Sequence, residues 1–307
     1  MTSHITVEWW AWAAVIAFIL AMLAVDLLFF HREAHEVSLR EAGIWSGIWI
    51  AISLIFGGIV WATLGHVAAG EYMSGYLIEK SLSVDNLFVF ALLLNYFSVP
   101  LQHQHRLLYW GVIGALVARA VFIFAGVALL EAFHWTIYVF GALLVITGAR
   151  MATHSETEVH PDRNPVLNLL RRFVPITDEY HGQHFFVRID GRRWATPLLA
   201  VLVVIETTDV VFAIDSIPAI FAITTNTFLV FTSNAFAILG LRALYFLLAG
   251  FLGRLVYLNV GLAAVLVFVG IKMLLTDVYH VPIWASLLTI ATMIAISVVF
   301  SLRRPSS

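Results

Sequence analysis

The feature that most constrains this chain is its apolar segmentation. Nine runs of mostly apolar residues, at about 7–30, 42–64, 72–98, 107–130, 134–152, 196–222, 227–251, 256–275 and 281–301, follow one another with little between them. A bilayer's hydrocarbon core demands roughly 20 such residues per helix, and most of these runs are longer. Hydrophobic residues make up 61% of the chain and charged ones only 12%, whereas a soluble domain has about 45–50% and 25%. A water-soluble enzyme is therefore excluded. The expected fold is an all-α polytopic membrane protein with about nine transmembrane helices. The first run is expected to be retained rather than cleaved, because no basic segment precedes it and Asp26 and His31 stand where small residues should be.

The loop charges test that count independently. Arg32, Arg40, Arg106, Arg163, Arg171, Arg172, Arg188, Arg192, Arg193, Arg254, Arg303 and Arg304 lie between or beyond the runs, and Arg150 at the very end of the fifth. With nine spans all of them fall on one side, and the loops of the other side carry no Lys or Arg. The positive-inside rule then puts the N-terminus outside and the C-terminus in the cytoplasm.

The one sizeable polar segment, 153–195, holds Pro161, Pro165 and Pro175 and an Asp190-Gly191 pair between apolar-rich runs, which predicts a short β-hairpin. Its His154, His160, His181 and His184 lack tight ligand spacing and any neighbouring cysteine, and read as ordinary solvated side chains.

Two stretches of the chain resemble each other. Asp85-Asn86-Leu87-Phe88, Arg119 and Gly148-Ala149-Arg150-Met151 correspond to Asp209-Val210-Val211-Phe212, Arg242 and Gly270-Ile271-Lys272-Met273, at offsets of 124, 123 and 122 residues. Each unit spans three runs, and an odd number turns the second unit over in the membrane. The expected organisation is two N-terminal helices (1–71), a first three-helix repeat (72–152), a cytoplasmic loop (153–195), an inverted second repeat (196–275) and a C-terminal helix with its tail (276–307). Inverted repeats around a midplane polar site are a recurring transporter architecture.

Lys80, Arg119, Arg242, Lys272, Asp26, Glu79, Asp85, Glu206, Asp209 and Asp215 fall inside the runs. Each costs roughly 2.5–3.5 kcal/mol at a helix centre on insertion scales, so such groups face one another or a wet cavity. Asp26 and Lys272 lie near span ends. The other acids, Glu79, Asp85, Glu206, Asp209 and Asp215, gather on the leading helices of the two repeats. Glu79, Ser83 and Asn86 share one helix face, as do Glu206 and Asp209. Pro218 removes the donor to the Ile214 carbonyl and predicts a helix break around Ile214–Pro218 that brings Asp215 toward the others. Carboxylates, an amide, hydroxyls and free carbonyls suit a hard divalent cation such as Mg²⁺, Ca²⁺ or Mn²⁺, and the absence of cysteine removes soft sulfur ligands. The same acids can exchange protons. The plainer alternative is that they neutralise Lys80, Arg119, Arg242 and Lys272. Arg119 and Arg242 are expected to be counter-ions, and Asn234 either interhelical glue or pore lining.

Glu79-Lys80-Ser81-Leu82-Ser83-Val84-Asp85-Asn86 and Glu206-Thr207-Thr208-Asp209, continuing through Asp215-Ser216-Ile217-Pro218, resemble the two hallmark motifs of the TerC family. Gly75-Tyr76-Leu77, His184-Phe185-Phe186-Val187-Arg188 and the segment from Ser233-Asn234 to Leu241-Arg242 are similar to its Alx-like branch. The resemblance implies a bacterial inner-membrane exporter of Mn²⁺. Glu79, Asp85, Glu206, Asp209 and Asp215 would be its metal-site acids, Asn86 and Asn234 neutral helpers, and Lys80, Arg119 and Arg242 counter-ions. No prosthetic group is implied, and Mn²⁺ is substrate. The expected partners are the cation, the bilayer, and a second copy of the chain or secretion machinery, with no nucleic acid.

Three rivals remain at this point. An oxyanion or organic-solute exporter would bind through Arg119 and Arg242. An intramembrane aspartyl protease would use Asp85 and Asp209, although no Gly-x-Gly-Asp or His-Glu-x-x-His segment is present. A non-transporting accessory of secretion would act through the 153–195 loop. A transporter, not an enzyme, is the leading expectation.

Overall fold

The computed structural model describes residues 7–30, 38–133, 135–153, 165–177, 179–189, 191–248, 257–279 and 281–303. Helices dominate: α1 (Trp9–Phe30), α2 (Leu39–Tyr96), α3 (Leu101–Ala132), α4 (Thr136–Thr153), α5 (Pro165–Phe173), α6 (Pro197–Phe221), α7 (Thr227–Leu239), α8 (Leu241–Leu248), α9 (Leu258–Leu274) and α10 (Ile283–Arg303). Strands β1 (Phe186–Ile189) and β2 (Arg192–Ala195) pair antiparallel, Ile189 opposite Arg192, through a turn in which Gly191 takes φ +77°. That conformation favours glycine.

Local chemistry starts and bends these helices. Ser38 caps α2 by accepting from the Glu41 amide at 3.2 Å, and Asn226 caps α7 through the amides of Phe228 and Leu229 at 3.1 and 3.2 Å. Pro197 opens α6, where its missing N–H costs nothing. α2 is 58 residues long and bends where Gly65 leaves helical geometry at φ +91°, ψ 174°. A second bend, of 41°, separates α7 from α8 at Gly240.

By length and apolarity, five described helices can cross a bilayer (α2, α3, α4, α6 and α10), and six with the bent α7–α8 pair. Nine apolar runs thus become fewer long helices for two reasons. The second and third runs merge into α2 across Gly65, and the apolar stretches of α1 and α9 are short, Trp9–Val25 and Val260–Leu274. Large apolar side chains such as Trp9, Trp61, Val117, Phe124, Leu288 and Phe300 stand exposed, which suits lipid and not water. The expected break at Ile214–Pro218 is absent, for α6 runs unbroken through Pro218 to Phe221. One lost hydrogen bond near the helix end is outweighed by packing, since Ile217, Ala219 and Ile220 beside the proline are all buried.

Interhelical contacts give the helix directions. Along α3 and α6, Gly111 faces Ile205 and Gly126 faces Phe221, so these two run parallel. The second arm of α2 runs parallel to α7, with Gly75 against Ser233 and Lys80 bonded to the Ala237 carbonyl. α4 and α9 run antiparallel and nearly touch through their backbones. A Cβ on Gly270 would stand 2.8 Å from the Gly141 carbonyl oxygen, and one on Gly148 would stand 2.8 Å from that of Ala263. Helices approach this closely in membranes only through small residues. The hairpin docks at the end of the bundle where α2 finishes and α3 begins, with the Tyr180 hydroxyl donating to the Phe97 carbonyl at 2.7 Å and Arg106 stacked over Phe185.

The α4–α9 contact yields a stability prediction. Gly148→Ala and Gly270→Ala should each destabilise the protein by about 1–3 kcal/mol, because the obstructing atoms are backbone. Gly58→Ala, with open space around it, should be neutral or stabilising by up to about 1 kcal/mol. Thermal denaturation of the detergent-purified variants measures both.

Candidate functional site

Four helices bring their polar residues together in the middle of the bundle: the second arm of α2, α3, α6 and α7. The parallel run of α3 and α6 sets Arg119 beside Asp209. Arg119 Nε and Nη2 donate to Asp209 Oδ2 and Oδ1, each at 3.1 Å, a bidentate pair. Its Nη1 donates to Glu79 Oε1 and, at 3.2 Å, to Ser216 Oγ. Ser83 Oγ donates to Glu79 Oε1 at 3.2 Å, and Asn234 Nδ2 donates to Glu79 Oε2 at 3.0 Å. One guanidinium therefore bridges two carboxylates, one from the leading helix of each expected repeat. Every member is almost fully buried, Glu79 at 0% exposure and Arg119 at 1%.

Glu79 and Asp209 thus meet, with Asn234 as an amide partner to Glu79. Arg119 is their counter-ion. Glu206 sits half-buried on α6, its carboxylate occupying the space over Gly114 of α3. Only glycine leaves that room, because a Cβ there would lie 2.0 Å from Glu206 Oε1. Lys80 donates to the Ala237 carbonyl at 3.1 Å. Asn86 is buried on α2, and Arg242 is buried in the first turn of α8. The side chains of Asp26, Asp85 and Asp215, together with His154 and His160, lie outside the described residues. His184 is exposed in the loop, its amide donating to the His181 carbonyl at 3.3 Å. Among the described residues, no three His, Asp or Glu side chains gather as a metal-ligand set.

Sequence reasoning missed Glu71. It falls one residue before the expected edge of the third run, yet it is buried at 3% exposure and its Oε2 accepts from Thr224 Oγ1 at 2.8 Å. The available signal was the spacing Glu71, Gly75, Glu79, which places all three on one stripe of α2.

The chain matches the family described as "Integral membrane protein TerC family" over residues 64–306. It belongs to the TerC family. Both halves of the buried network and Glu71 lie within the matched residues. Similar full-length relatives include the "Uncharacterized membrane protein STKORF319" of Myxococcus xanthus, 50% identical over 291 residues covering 95% of this chain and 91% of that one. The "Putative membrane-bound redox modulator Alx" of Escherichia coli (strain K12) is 49% identical over 288 residues, covering 91% of this chain and 89% of that one. An "Uncharacterized membrane protein" of Rickettsia bellii is 35% identical over 294 residues, 96% of this chain and 97% of that one. No solved structure matches the chain.

The network makes a prediction of its own for this TerC protein. Arg119→Ala leaves two buried carboxylates unpaired and should cost about 3–5 kcal/mol of stability. Arg119→Lys keeps the charge but not the fork, and should fall between that variant and the parent. Glu206→Gln breaks no ion pair with Arg119 and should change stability by less than about 1 kcal/mol. Melting temperatures in detergent rank the three.

Proposed function

We propose that the chain is a transporter of a hard divalent cation, exporting Mn²⁺ by alternating access with protons moving the other way. The observation that carries this reading is the buried carboxylate pair, Glu79 and Asp209, drawn from two leading helices and held by Arg119. Among the described residues its further partners are the Ser83 hydroxyl and the Asn234 amide, and the chain has no sulfur ligand from cysteine. Asp85, Glu206 and Asp215 complete the acidic set in this reading, with Asn86 and Asn234 as neutral helpers.

The inverted-repeat organisation belongs to the same proposal, with nine crossings as the sequence predicts. Its support is directional. The second arm of α2 pairs in parallel with α7, and α6 pairs in parallel with α3, as exchange of the two units requires. The crosswise α4–α9 contact supports it further. The 122-residue offset turns Gly141 into Ala263 and Gly148 into Gly270, and the contacts run from Gly141 to Gly270 and from Gly148 to Ala263. An exchange of this kind is what a two-fold relation between surfaces produces. Orientation follows the positive-inside rule, with the hairpin end in the cytoplasm of a bacterial inner membrane.

Chemically, the site poses an exchange problem. Arg119 sits between the carboxylates where a cation would be drawn, so a divalent ion enters only as the guanidinium withdraws from Glu79 or Asp209. On the far side, protons and Arg119 re-neutralise the acids as the ion leaves. The buried carboxylates are then never left uncompensated, which low dielectric would penalise heavily.

Arg119 weakens the oxyanion alternative, since its Nε, Nη1 and Nη2 already serve protein acceptors. It also weakens the aspartyl-protease alternative, because Asp209 is locked in a bidentate ion pair. The name of the Escherichia coli relative points to redox, but a chain without cysteine performs no thiol–disulfide chemistry itself. Moving a redox-active metal would connect the two.

Flux into liposomes loaded with a metal-sensitive dye tests the reading, comparing Mn²⁺, Ca²⁺ and Mg²⁺ with and without a pH gradient. The parent should move Mn²⁺ faster when the gradient opposes the metal. Glu79→Gln and Asp209→Asn should lower the rate at least tenfold. If no divalent cation moves in sealed vesicles, the proposal fails.

A further inference from the structure

Beyond the central network, the second arm of α2 carries one more buried carboxylate, Glu71, two turns nearer the end of the bundle away from the hairpin. Glu71, Gly75 and Glu79 follow at four-residue steps along one stripe, and each meets the α6–α7 side of the bundle at its own level. Glu71 accepts from Thr224, in the turn between α6 and α7, at 2.8 Å. Gly75 is closed over by Ser233 and Ile220, since a Cβ on it would stand 2.8 Å from Ser233 Oγ and 3.3 Å from Ile220 Cγ2. Glu79 meets Asn234 and Arg119. The seam between α2 and the α6–α7 hairpin is therefore a line from the far face to the central carboxylates, shut at two successive levels. Thr224, Ser233 and Ile220 are all buried.

The outermost level has the construction of a latch. Thr224 Oγ1 also accepts from the amide of Asn226, at 3.2 Å, and Asn226 is the cap of α7. The same threonine's amide bonds back to Ile220 of α6 at 3.1 Å. Glu71 thus grips the residue on which the end of α6 and the start of α7 both depend. Just inside this turn Pro218 leaves α6 without one rung of its hydrogen-bond ladder, so the end of α6 is held by side-chain packing and by the turn that Glu71 grips.

We infer that Glu71 and Thr224 form the gate that closes the route between the central carboxylates and the face of the bundle opposite the hairpin. Opening separates α2 from the α6–α7 turn at Glu71 first and at Gly75–Ser233 next. This inference rests on the transport reading, and it makes Glu71 a gate residue and not a member of the ion site.

The absence of cysteine makes the test direct, because each introduced thiol is the only one. Ser233→Cys places a near-isosteric reporter one level inside the latch, and Arg192→Cys on the exposed hairpin marks the opposite face. In vesicles of known sidedness, a membrane-impermeant maleimide should scarcely label Ser233→Cys in the parent background. Adding Glu71→Ala should raise the labelling rate at least tenfold, from the face opposite Arg192→Cys only. Glu71→Gln, which keeps an acceptor for Thr224 but loses the carboxylate charge, should fall between. Leu144→Cys, fully buried between α4 and α9, should stay unlabelled throughout. An unchanged rate in Glu71→Ala overturns the gate, as does labelling from the hairpin face or an equal rise at Leu144→Cys. The labelling needs no substrate. If it responds as expected while the parent moves no cation, the gate stands and the transport reading falls. If the parent moves Mn²⁺ while the labelling ignores Glu71, the reverse holds.

Discussion

The rest of the structure depends on one guanidinium. Two carboxylates in the interior of a membrane protein are intolerable without partners, and Arg119 pairs with both while fully buried, its one positive charge shared between them. The planar fork is what makes this possible, since it grips Asp209 with two nitrogens and still turns a third to Glu79 and Ser216. A lysine ammonium could touch both carboxylates but has no planar fork to hold Asp209 with two parallel bonds. The surroundings follow from that geometry: α3 must lie parallel to α6 for the fork to reach, α2 must bring Glu79 to the opposite side, and Asn234 must supply the donor that remains for Glu79 Oε2.

Bringing four helices so close has its own requirement, met by glycine. Gly114 leaves room for Glu206, Gly126 for the ring of Phe221, and Gly75 for Ser233, while α4 and α9 meet at Gly141, Gly148 and Gly270. None of these positions needs glycine's backbone freedom. They need the absence of a Cβ. Gly65 is the different case, where positive φ bends α2 and divides it into two arms. Polar network and small-residue contacts are thus one solution, in which charges are buried by helices close enough to pair them.

Much of this was legible in the sequence because membranes impose simple rules. The apolar runs located the helices to within a few residues, except α3, which begins at Leu101 rather than 107. There Gln102, His103, Gln104, His105 and Arg106 disguise a helical turn that packs against the loop. The grouping of acids pointed to Glu79 and Asp209, and matched repeat positions singled out Arg119 as a counter-ion. Three things were not legible. Pro218 suggested a break that tertiary packing suppresses. Glu71 was lost at an apolar-run boundary, because hydropathy cannot see that a bend at Gly65 folds the next turns back into the bundle. Helix α5 hid in a proline-bearing polar loop, its amphipathic pattern too short to register.

An arginine at the centre of the proposed cation site looks contradictory until the cost of the empty state is considered. A transporter must pass through a condition in which its cargo has gone and its acids remain. Protons can neutralise them, but each proton must then leave before the next ion binds. In the proposed transporter a tethered cation would solve the problem without leaving the protein: Arg119 would close on Glu79 and Asp209 as the ion departs and yield as it arrives. The arrangement favours closure of the empty bundle, since the pair bridged by Arg119 ties α2 to α3 and α6. Glu71 and Thr224 extend the same tie two turns outward along the same stripe of α2. Loss of the central bridge on ion entry would therefore weaken the line of contacts that shuts the far face. In the proposed cycle, occupancy of the site and opening of the exit would be coupled through a single helix face.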